Sequence, residues 1–231
     1  SSEEGSMFSS MLRNTGICLF ALLFLTGAST AEHLKIDASH SNVTFSIRHI
    51  VSQVRGSFTD FSGTIHYDQK NPGKSTVEAT IKTASINTNN GRRDDHLRSP
   101  DFFDAEKYPT ITFKSTKAVK KGDKLMVTGN FTMHGTTKEI TIPVEVLGVG
   151  THPMTKAPVA GFVGELTILR SDYGVNSWTD AAGILGDEVK IALNIEAAGM
   201  GKGANPCNPC AAKNACNPCA AKKNPCNPCA K

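Results

Sequence analysis

Between residues 34 and 197 apolar side chains recur at every second position, one segment after another, and this period limits the fold more than any other feature of the chain. Successive side chains of an extended backbone point to opposite faces, so a period of two marks strands with one buried face. Val43, Phe45 and Ile47 alternate with polar residues, as do Val77, Ala79 and Ile81, and then Ile111 and Phe113. Leu125, Val127, Gly129, Phe131 and Met133 follow, then Ile140, Ile142, Val144 and Val146. Phe162, Gly164, Leu166 and Ile168 come next, and Val189, Ile191, Leu193 and Ile195 close the series. Turn-forming stretches separate the runs: NPGK (71–74), KKGDK (120–124) and SDYG (171–174). The pattern predicts an all-β fold of about eight antiparallel strands with hairpin-length links, closed as a barrel or packed as a sandwich.

Inward positions mix large aromatics with glycines, which favours a curved, closed sheet with internal room. In GSFTDFSGTIHYD the parity slips between Phe58 and Phe61, as a bulge or corner requires. One stretch breaks the strand rhythm, RRDDHLRSPDFFDAEKYP (92–109). Asn89 or Asn90 can cap a short helix over residues ~90–99, ended before Pro100. Its charges are expected to face water, with Arg92, Arg93 and Arg98 pairing Asp94 and Asp95, while Leu97 packs inward. The following loop carries Phe102, Phe103 and Tyr108 back against the barrel mouth.

Catalytic patterns fail one by one. LGVGTHP lacks the third glycine of a dinucleotide fingerprint, and NPGKS has Asp68 where a phosphate loop needs its first glycine. No G-x-S-x-G elbow occurs. Asp37, His40 and Ser41 stand at a strand start, where polar residues serve turns. Asp95 and His96 are neighbours on a helix and point about 100° apart, so a hydrolase built on them is the weakest reading. The seven histidines fall on different segments without metal-ligand spacing. An apolar container without covalent chemistry is the expectation, against the alternative of a barrel filled by its own side chains.

The segments flanking this region read differently. Residues 1–6 precede Met7 and look like a tag remnant. From Met7 the chain has a secretory pattern: Arg13, the apolar run ICLFALLFL (17–25), and small residues with cleavage expected after Ala31. Nine apolar residues are too few to span a bilayer, which takes ~20. A low-complexity tail fills 198–231. It carries Lys202, Lys213, Lys222, Lys223 and Lys231 without an acid. With Glu3, Glu4 and Arg13 also subtracted from the total of +4, residues 32–197 are neutral. A neutral domain without a basic stripe argues against nucleic acid. The basic tail leaves weak contact with an anionic membrane surface open, and a homodimer is equally compatible.

The tail also holds three C-x-x-C pairs: Cys207 with Cys210, Cys216 with Cys219, and Cys226 with Cys229. Haem attachment is rejected because Ala211, Ala220 and Ala230 stand where histidine would be needed. Disulfides or mixed oxidation are the expected resting state in an exported protein, with thiolate binding of Cu(I) or Zn(II) as the alternative. A metal- or redox-handling protein working through these repeats is therefore the second functional reading.

Four segments together carry a resemblance: IDASHSNVTFSIRHIVSQVRGSFTDFSGTI (36–65), SINTNNGRRDDHLRSPDFFDAEKYPTITFKS (85–115), GNFTMHGTTKEI (129–140) and RSDYG (170–174). In that order they resemble the YceI-like family, over essentially all of residues 33–197. The resemblance implies a lipocalin-like, eight-stranded barrel with a helix beside it. It also implies a tunnel-like cavity for a polyisoprenoid, quinone-type lipid or fatty amide, and a bacterial periplasmic or secreted location. Strand parity and the mouth loop put Phe45, Ile47, Phe58, Phe61, Ile81, Ile86, Phe102, Phe103, Phe113 and Phe131 on the cavity wall. No cofactor is required on this reading beyond a bound isoprenoid or similar lipid. The charged helix then serves to position Phe102 and Phe103 over the guest.

Overall fold

A computed structural model describes residues 32–178 and 184–199. The expected leader and the cysteine-rich tail lie outside the described residues. Among those residues, eleven strands and one α-helix follow in order: β1 (Glu32–Ile36), β2 (Asn42–His49), β3 (Ser52–Phe58), β4 (Phe61–Tyr67), β5 (Thr76–Lys82) and β6 (Ile86–Asn87). Then come α1 (Gly91–Arg98), β7 (Thr110–Lys121), β8 (Lys124–Met133), β9 (Thr136–Thr151), β10 (Pro158–Leu169) and β11 (Leu185–Gly199).

Eight of the strands close a ring, β1-β4-β5-β7-β8-β9-β10-β11, sealed by antiparallel pairing of β1 with β11. This is the eight-stranded antiparallel barrel that the period-two pattern predicted. β2, β3 and β6 continue β1, β4 and β5 beyond corners and extend the same sheet past β11. The parity slip is one of these corners: Phe58 ends β3, Phe61 starts β4, and both stay buried.

The corners let the barrel close at one end and splay at the other. β11 pairs its last residues, Ala197–Gly199, with β1, and its earlier part, Leu185–Asn194, with β2. At the splayed end β6 is the last strand of the sheet, and α1 packs beside it. A second parting lies between β9 and β10, whose pairing runs only from Pro158–Gly164 against Thr151–Val144. The 3-10 turn Arg170–Tyr173 packs in that region. Tyr173 is buried edge-on against Phe131, ring centroids 5.3 Å apart, and Val175 is buried beside it. Gly174 supplies the left-handed backbone that ends the turn, at φ 75°.

Three details correct the sequence reading. First, Asp94 does not face water: it is 5 % exposed and accepts from the Thr88 N–H at 2.8 Å and the Thr88 hydroxyl at 2.5 Å. The arginines hold the strand side instead. Arg93 donates to Thr88 Oγ1 and O, and Arg98 to the carbonyls of Ala84 and Ile86. Of the expected helix ion pairs only Asp95–Arg98 forms, at 2.8 Å. Asn90 is the cap, its side chain accepting from the Arg93 N–H.

Second, Tyr108 does not reach the mouth. It packs on the β8–β9 turn, with its ring centroid 4.4 Å from that of His134 and against Gly135. Third, the final strand runs two residues past the expected boundary at 197, because Ala198 and Gly199 pair with Lys35 and Leu34.

Candidate functional site

The barrel encloses a hollow of about 720 Å³ lined almost entirely by hydrocarbon. The alternative of an interior plugged by its own side chains is thereby excluded. All ten residues assigned from parity and the mouth loop lie on its wall. Each long strand contributes alternate side chains, since a strand in a closed barrel turns every second residue inward.

The inward glycines do not create the room directly. Phe45 pairs with Gly56 across β2 and β3, and a Cβ at Gly56 would fall 2.5 Å from Phe45 Cζ. A Cβ at Gly129 would fall 2.8 Å from Phe113 Cζ. Both rings thus lie flat over glycine, against the wall and out of the lumen. Phe45, Phe58 and Phe103 form a chain of rings, 5.7 Å and then 6.2 Å between centroids, the second contact edge-on.

At the α1 end a second aromatic group forms. His96, Phe102 and Trp178 are mutually edge-on, at 5.1, 5.6 and 5.8 Å. Phe102 is buried, whereas Trp178 is 50 % exposed while also lining the hollow, so the hollow meets the surface there. Ser177 Oγ donates to the carbonyl of Asp101, joining the two loops of this rim. Tyr67 lies on the same wall, edge-on to Phe162 at 5.5 Å.

Three wall residues escape sequence reasoning. Tyr67 carries a usable signal, because it continues the parity of Phe61 and Ile65. Trp178 sits outside any alternating run. Arg170 gives no signal at all, since a cation in an apolar wall contradicts the pattern that locates the wall. It is 4 % exposed; burial pushes its guanidinium below its ordinary value, and Asp187 acts in the opposite direction.

The polar groups considered for catalysis or metal do not converge inside. Asp95 pairs with Arg98, while His96 Nε2 lies 3.1 Å from Asp101 Oδ2. Ser41 does not join Asp37 and His40: its hydroxyl donates to the Glu196 carbonyl and accepts from the Glu196 N–H. Ser39 takes that place, donating twice to Asp37 Oδ1. Those bonds, and then His40 at 2.9 Å, hold the Asp37 carboxyl well below the usual carboxylate range. Asp37 in turn raises the His40 imidazole. Asp37, His40 and Glu196 offer ligand atoms within 4.8 Å of one another, at the β1–β2 corner and away from the cavity lining. The thiolate set expected for Cu(I) or Zn(II), namely Cys207, Cys210, Cys216, Cys219, Cys226 and Cys229, lies outside the described residues. None of these six cysteines therefore belongs to the site built by the barrel.

A closed antiparallel barrel around an apolar hollow, with a helix at its splayed end, defines the lipocalin-like class of cavity barrels. Comparison with known proteins places the chain within it. The YceI-like domain model matches residues 34–197, and the chain belongs to the YceI-like family. Protein YceI of Salmonella arizonae is 40 % identical over 184 residues, covering 78 % of this chain and 94 % of that protein. Among solved structures, Burkholderia cenocepacia BcnA superposes with TM-score 0.64 at 29 % identity, over 70 % of this chain and 98 % of that one. The Campylobacter jejuni YCEI protein gives TM-score 0.59 at 33 % identity, over 65 % and 87 %. A polyisoprenoid binding domain from Saccharophagus degradans shares the fold at TM-score 0.55 and 15 % identity, over 74 % of this chain and 99 % of that one.

Proposed function

We propose that the protein is an exported carrier or store for a long apolar amphiphile, such as a polyisoprenoid, quinone-type lipid or fatty amide. The observation that carries this reading is the hydrocarbon-lined hollow of about 720 Å³. The secretory pattern of the first 31 residues supports a periplasmic or secreted location. The family relationship and the ligand named for the Saccharophagus degradans fold relative point the same way.

Affinity on this reading comes from burial. Each methylene moved from water contributes about 0.8 kcal/mol, so a dozen contribute roughly 10 kcal/mol before ordering costs. At roughly 30 Å³ per water-sized unit, the hollow takes on the order of two dozen such units. A much longer chain therefore leaves part of itself outside. No covalent step is assigned to the protein and no cofactor is required. Thiolate binding of Cu(I) or Zn(II) by the tail stands as a separate reading, carried by its three C-x-x-C pairs.

Native mass spectrometry of gently purified protein tests the carrier reading. A non-covalent adduct with a long hydrocarbon chain is expected, and Phe102→Ala with Phe103→Ala should reduce its retention. Protein that carries no lipid, and takes up none when offered long-chain amphiphiles, overturns the reading.

A further inference from the structure

The hydrocarbon wall holds one cation with donors to spare. Arg170 follows β10 directly and lines the hollow. Its Nε donates to the Gly186 carbonyl at 2.9 Å, and its Nη1 to the carbonyls of Val175 and Ser177, both at 2.8 Å. A guanidinium has five N–H donors, two of them on Nη2. Nη2 is buried and has no partner, the single such side-chain nitrogen or oxygen among the described residues. The nearby acid does not answer it: Asp187 accepts instead from the Ser171 N–H at 2.9 Å and the Ser171 hydroxyl at 2.6 Å.

Three carbonyls fix the guanidinium in place, so it cannot swing out to water without losing them. A buried charged donor left without an acceptor is costly, more so than a neutral one. The fixed geometry and the idle nitrogen fit an acceptor that arrives with the guest. Charge narrows the choice. One uncompensated positive charge is balanced by one negative charge, whereas a phosphate or diphosphate would bring excess charge into a hydrocarbon wall. Neutral carbonyls can accept the same bond, but more weakly than an ionised oxygen.

Resting on the carrier reading above, we infer that Arg170 anchors the head of the guest, a carboxylate on a single long chain. One carboxylate oxygen accepts from Nη2 near the α1 end. The hydrocarbon tail runs along the barrel towards Tyr67.

The full chain, freed of lipid, is titrated with hexadecanoate, hexadecanamide and hexadecane by displacement of a fluorescent hydrophobic probe. Hexadecanoate should bind about tenfold or more tightly than hexadecane, with the amide between them. Arg170→Met should remove that preference and leave hexadecane unchanged. Equal preference in the wild type and Arg170→Met overturns the anchor, as does equal binding of all three chains by the wild type. If neither chain type enters, the carrier reading itself fails, which separates the two ideas.

Because Arg170→Met also gives up three internal bonds, a second measurement uses the wild type alone. Hexadecanoate labelled with ¹³C at the carboxyl is followed by NMR against pH. Beside Nη2 the bound carboxyl should titrate below its value in water. A raised value would put it in hydrocarbon away from Arg170 and overturn the inference.

Discussion

Asp94 fastens α1 to the barrel from the inside, through the N–H and hydroxyl of Thr88. Both Thr88 groups lose their acceptor in Asp94→Ala and stay buried, so the variant should be less stable by about 3 kcal/mol. Asp94→Asn keeps an acceptor oxygen and should lose less. The midpoint of urea unfolding measures both, and an unchanged midpoint for Asp94→Ala would show that the helix is held by other contacts. In the sequence, position 94 is hidden among charged neighbours, which is why it reads as exposed. Its geometry is nevertheless legible: residues three apart share a helix face, and Leu97 reads as inward. Arg170 has no comparable signal, because its partners are carbonyls brought near by folding.

Paired strands, more than single side chains, keep the lumen open. Phe45 and Phe113 each lie over a glycine, yet the two sites predict opposite outcomes. A Cβ at Gly56 meets the far end of the Phe45 ring, which can rotate away, and the methyl of Thr88. Gly56→Ala should therefore push that ring into the hollow and shorten the lifetime of a bound chain, with little loss of stability. At Gly129 a Cβ would meet the backbone, 2.5 Å from the Lys114 carbonyl oxygen and 2.7 Å from Ser115 Cα. Gly129→Ala should lower stability by about 1–3 kcal/mol, since no rotamer change relieves the clash. Release kinetics of a bound chain, together with urea unfolding, separate the two, and matching effects at both sites would contradict the argument. The alternation of residues makes the inward set legible strand by strand. The partings at β6–β7 and β9–β10 are not legible, because they depend on how far each pair stays in register. Trp178 escapes for the same reason, being placed by the chain that packs over one parting.

For the molecule as a whole, closure of the ring decides where the working unit ends. The boundary at 197 expected from sequence would remove Ala198 and Gly199, and with them two of the three register pairs between β1 and β11, Leu34–Gly199 and Lys35–Ala198. Ala198 also pairs with Val159 of β10, and Gly199 packs where a Cβ would collide with the Pro158 ring. Truncation after Gly199 should therefore unfold at the temperature of the full chain and retain the same lipid. Truncation after Ala197 should melt earlier, because about two net hydrogen bonds at roughly 1 kcal/mol each are lost where the barrel is sealed. Thermal unfolding and native mass spectrometry on the two truncated chains check this. Uptake of Cu(I) or Zn(II) by the reduced protein should disappear in both, since both lack Cys207 and Cys210, Cys216 and Cys219, and Cys226 and Cys229. A chain ending at Gly199 that folds normally but no longer holds lipid would move binding out of the hollow and into the tail, because the two truncations differ only in how well the ring is closed.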